Sequence, residues 1–85
     1  MRYAIYAKTN DGMIDSVNVE SAKERDITVN AHIKTAKEIG LLWLCYCKIY
    51  KSGEYSPVKV AWHYKYVSRE TLKRREKICI TCIKF

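Results

Sequence analysis

Residues 41–50 read LLWLCYCKIY. The stretch is apolar on both faces at its start and gains Lys48 and Tyr50 toward its end, the pattern of a central strand whose two sides are both covered. Its unbroken apolar run, Leu41 to Cys47, stops at Lys48, well short of the roughly 18 residues that span a bilayer. A membrane partner is therefore not expected. Gly40 precedes the stretch as a natural helix stop. Lys51 to Pro57, with Ser52-Gly53 and Pro57, follows it as a loop.

Beyond that loop, Val58 to Val67 alternates. Val58, Val60, Trp62, Tyr64 and Tyr66 fall on one face and Lys59, Ala61, His63 and Lys65 on the other, which predicts a second strand. Upstream, Val29, Ile33, Ala36 and Gly40 recur every three to four residues, with Lys23, Lys34, Lys37 and Glu38 on other faces, which predicts an amphipathic helix. Ser21 and Glu24 have the spacing of a capping box. The β-branched Ile27, Thr28 and Val29 weaken the first turns, so Asp26 is a competing N-cap.

At the N-terminus, Arg2 to Thr9 and residues 13–19 flank Asn10-Asp11-Gly12, where glycine supplies positive φ and Asn or Asp tolerates it. Val17 and Val19 share one face of the second segment and Ser16 and Asn18 the other, so a β-hairpin is expected. At the C-terminus, Ser68 can cap a short, mostly exposed helix through RETLKRREK, and Ile78 to Phe85 reads as a last strand. Adjacent strands with one substantial helix predict an α+β fold. It has a small antiparallel sheet of about four to five strands, one main helix packed on one face and the order ββαββ(α)β. With 85 residues, 48% hydrophobic and 29% charged, one compact domain spanning 1–85 is expected, its stability margin modest for its size.

Residues 1–40 carry six Lys/Arg and six Asp/Glu; residues 41–85 carry ten and three, and so the whole net charge of +7. A field concentrated in the C-terminal half suits nucleic acid or an acidic, nucleic-acid-binding protein surface, although basic faces are often merely solvated. Lys8 and Asp11 interrupt the N-terminal apolar stretch before it could act as a signal-peptide core, and a cytoplasmic location is the default. Isoleucine outnumbers leucine nine to four and lysine outnumbers arginine eleven to five, a bias that AT-rich coding, as in phages, would produce.

Cys45, Cys47, Cys79 and Cys82 make C-x-C and C-x-x-C pairs, and four thiolates can hold zinc. Cys79 and Cys82, three apart on an extended segment with no Gly or Pro, point to opposite faces, so buried thiols acting as small hydrophobes are the preferred reading. No cofactor is expected. His32 and His63 have no nucleophile or acid partner at a telling spacing, which leaves a ribonuclease-type toxin as a minor alternative. Gly12, Gly40 and Gly53 form no phosphate loop.

The strongest constellation is aromatic and basic. With the apolar side of the 58–67 strand toward the helix, Lys59, His63 and Lys65 face outward, joined by Tyr46, Lys48 and Tyr50 and flanked by Arg69, Lys73, Arg74, Arg75 and Lys77. Lysines attract phosphates through charge and counterion release, and tyrosine rings stack unpaired bases. The expected function is a small non-enzymatic protein that engages nucleic acid or a nucleic-acid-processing complex. The same residues suit a phage-type stoichiometric inhibitor of a host enzyme or defence complex, of the anti-CRISPR kind, that anchors on a protein with Tyr, Trp and Arg. A homodimer through an exposed sheet edge is compatible with either.

Overall fold

The computed structural model describes residues 2–68 and residue 70. Its elements run β1 (Arg2–Thr9), β2 (Ile14–Val19), α1 (Ala22–Lys34), α2 (Ala36–Ile39), β3 (Leu41–Ile49) and β4 (Lys59–His63). All strand pairs are antiparallel and the sheet order is β2-β1-β3-β4. This is the small α+β architecture with one main helix, four strands of it among the described residues. The expected helix from residue 69 onward and the closing strand at 78–85 fall outside the described residues, Glu70 apart.

β1 and β2 form the anticipated hairpin, with Tyr3 opposite Val19 and Lys8 opposite Ile14. Its turn is tied by the Thr9 N–H to the Met13 carbonyl at 3.1 Å. The Asp11 carboxylate accepts the Met13 N–H at 3.0 Å and the Thr9 hydroxyl. These short polar side chains substitute for backbone partners in the turn.

Ser21 is the N-cap of α1; its hydroxyl accepts the Glu24 N–H at 3.2 Å, and the Glu24 carboxylate reaches back to the Glu20 N–H at 2.9 Å. The capping signal thus prevails over the weak propensity of residues 27–29, and Asp26 lies within the helix rather than at its start. The helix does not run unbroken to Gly40. At Thr35 the hydroxyl donates to the Ala31 carbonyl at 3.1 Å, a local bond that competes with the helical ladder. A separate turn, α2, then closes on Gly40 at φ +67°.

β3 is central, and both of its sides are buried. On the helix side Tyr3, Ile5, Ala7, Val19, Leu41 and Leu44 pack with Ala36, Val29 and Ile33. On the other side Ala4, Tyr6, Trp43, Cys45, Cys47 and Ile49 pack with Val58 and Tyr55.

Two irregularities break simple alternation. Lys8 pairs with Trp43 but Thr9 with Leu41, leaving Leu42 as an extra residue in β3. Cys45 pairs with Val60 but Leu44 with Trp62, leaving Ala61 extra in β4. A bulge of this kind reverses the faces of everything beyond it. Trp62 therefore joins the helix-side cluster with Leu44, and His63 lies opposite Trp43 on the other side. The ten-residue alternating strand expected at 58–67 is in fact five residues long. From Tyr64 the chain turns, with the Val67 N–H donating to the Tyr64 carbonyl at 2.9 Å.

Candidate functional site

Directly opposed residues of antiparallel strands share a face. Tyr46 opposes Lys59 and belongs to the helix-side cluster. Tyr46, Lys48 and Lys59 therefore lie on the same side of the sheet as α1, beside its first turns. This corrects the expected arrangement, in which these residues faced away from the helix together with His63 and Lys65. The Ala61 bulge and the end of β4 separate the two groups.

The first group lines a cleft of about 360 Å³. One side is α1, through Ala22 and Arg25; the sheet side is Tyr3 and Tyr46, with Lys48; the third side is Pro57 and Lys59. Three cations, Arg25, Lys48 and Lys59, meet there from three different elements, and no described lining residue is a carboxylate. Lys48 and Lys59 are exposed at its rim. The Ser56 hydroxyl accepts the Lys48 N–H at 2.8 Å, which holds the loop wall against the strand.

Arg25 is the residue that the spacing of charges alone does not single out. Its guanidinium carbon lies 4.7 Å from the Tyr3 ring centroid and 4.9 Å from that of Tyr46, within reach of an attractive cation–π contact. Its side chain is 20% exposed, and it pairs with the more exposed Asp26 at 3.0 Å. Burial works against its charge, but Asp26 and the two tyrosines outweigh that and raise its pKa above the ordinary value. The overlooked signal is positional. Arg25 stands four residues before Val29 and eight before Ile33, on the stripe that faces the sheet.

The second group sits at the opposite end of β4. His63 is exposed, with a ring nitrogen 3.1 Å from the Tyr64 carbonyl. Tyr64 and Tyr66 meet edge to face at 5.3 Å, and the Lys65 ammonium lies 5.0 Å from the Tyr66 ring centroid. Tyr50 is exposed just beyond β3, two residues from Lys48. Arg69, Lys73, Arg74, Arg75 and Lys77 lie outside the described residues.

Cys45 and Cys47 lie on one face of β3 and are buried in the cluster opposite the helix. Cys79 and Cys82 lie outside the described residues, among which no three metal-ligating side chains come together. No helix of the described residues is long and apolar enough to cross a membrane.

No protein-family model, no curated protein and no solved structure matches the chain.

Proposed function

We propose that this chain is a small non-enzymatic binding protein that engages nucleic acid, or a complex that processes it, through the cleft between α1 and the β3–β4 loop. The observation that carries the reading is the meeting of Arg25, Lys48 and Lys59 in one concavity without a described carboxylate in its lining. Arg25 already has the Asp26 carboxylate as its partner, so Lys48 and Lys59 are the charges in this concavity that attract a further anion. Phosphates supply that anion, and each contact releases condensed counterions. The ten Lys/Arg of residues 41–85 against three Asp/Glu supply a field that draws a polyanion toward this half of the chain.

The test is binding of the purified chain to labelled DNA and RNA, single- and double-stranded, across about 50 to 200 mM salt. Binding that persists at the upper limit supports the reading. Loss of all binding by that point counts against it.

A second reading, docking on an acidic protein surface as an inhibitor would, is supported by Tyr66. This residue is 76% exposed beside Tyr64 and Lys65, and exposed tyrosines serve as anchors at protein interfaces. A partner retained at physiological salt, with no nucleic acid retained, favours it.

A further inference from the structure

The form of nucleic acid follows from the shape of the cleft. Resting on the reading of that cleft as a nucleic-acid site, we propose that it takes one unpaired nucleotide, so that the protein prefers single strands to duplex.

The volume of about 360 Å³ is at the lower end of the range for sites that enclose small molecules, about 300 to 1,000 Å³. A lone phosphate leaves much of that space empty, whereas a nucleotide fills it. A duplex turns its phosphates outward and keeps its bases paired inside. To place a nucleotide in this concavity it must extrude a base, which costs a few kcal/mol of unstacking and unpairing. An unpaired strand avoids most of that cost.

The lining divides in the way a nucleotide does. Lys48 and Lys59 stand diagonally on β3 and β4, because Lys59 opposes Tyr46 and Lys48 is two residues further along. Diagonal neighbours are about 7 to 8 Å apart, so the two ammonium groups can address one phosphate together or two in succession. Ala22, Tyr46 and Pro57 supply apolar surface beside them, which a phosphate does not use but a sugar and base do. The Tyr3 and Tyr46 rings already carry the Arg25 guanidinium, which sets a fixed positive charge beside the strand at the helix wall of the cleft. Tyr50, exposed two residues beyond Lys48, offers its ring to the next base along the strand.

The experiment compares a labelled strand of about 12 nucleotides, within the usual footprint of small single-strand-binding domains, with the same sequence as a blunt duplex at about 150 mM salt. Each is measured with the unaltered chain and with Lys48→Ala, Lys59→Ala and, as a control at an exposed position of α2, Lys37→Ala. The expected result is at least about tenfold tighter binding of the single strand. That binding is weakened by either cleft substitution and unaffected by Lys37→Ala. Equal or tighter duplex binding, still weakened by Lys48→Ala and Lys59→Ala, overturns the single-strand preference and leaves the cleft as a nucleic-acid site. Binding indifferent to both cleft substitutions overturns both.

Discussion

The Arg25 guanidinium carbon lies 4.9 Å from the centroid of the Tyr46 ring, so a charge carried by the helix rests on the central strand of the sheet. Together with the Tyr3 contact it joins α1, β1 and β3 at one point. Arg25→Met keeps an apolar stem and removes the charge, so the expected loss is that of the cation–π contacts together with the Asp26 ion pair, about 1 to 2 kcal/mol at this partly buried site. Asp26→Asn, by contrast, breaks only the ion pair, whose Asp26 side is largely exposed, and is expected to cost less, about 0.5 kcal/mol. Urea denaturation of the two variants checks this ordering.

Gly40 ends α2 at φ +67°, and a Cβ placed on it would lie 2.5 Å from the Asn10 side chain. Gly40→Ala therefore meets two penalties, the left-handed backbone and the clash, and is expected to destabilise by about 1 to 2 kcal/mol from the backbone alone. Pairing it with Asn10→Gly removes the clash but not the backbone penalty. The double variant is thus expected to recover only part of the loss in thermal melts, after allowance for the effect of Asn10→Gly by itself.

Tyr6 is held on the side of the sheet opposite the helix, where burial, followed by the nearby Cys47, pushes its phenol up to about 12. The folded state favours the neutral phenol, so its contribution is full below the ordinary value of 10.0 and is lost as pH rises through about 12. Stability is expected to fall across that interval, and less so in Tyr6→Phe. A tyrosinate absorbance titration combined with melts at each pH checks both.

Asp11 behaves in the opposite sense. The Thr9 hydroxyl, and then the Met13 N–H, hold its carboxyl below the usual 3.8. This contribution is full above that value and is lost as pH falls through the lower folded one. Acid melts of Asp11→Asn are expected to be flatter below pH 3.8 than those of the unaltered chain.

The hairpin, the Ser21 cap and the buried central strand were legible in the sequence because each rests on local chemistry or on a run apolar on both faces. The side on which β4 presents its residues was not. Trp62 and His63 exchange faces at Ala61, and a bulge leaves no mark in an alternating sequence that contains neither Gly nor Pro. The same irregularity divided the basic residues into two groups. Lys48, Lys59 and Tyr46 were recognisable as candidates from charge and aromatic content, but Tyr3 and Arg25 were not. They come to the cleft through the docking of α1 on β1 and β3, which is tertiary information.

The salt dependence of single-strand binding by the unaltered chain, set beside that of Lys48→Ala/Lys59→Ala, tests the central claim most directly. Removal of both lysines is expected to weaken binding and to reduce the slope of log affinity against log salt by about 0.7 if they share one phosphate and about 1.4 if they take two, at about 0.7 per phosphate on a single strand. An unchanged slope and affinity in the double variant would contradict the assignment of the cleft as the site where nucleic acid binds.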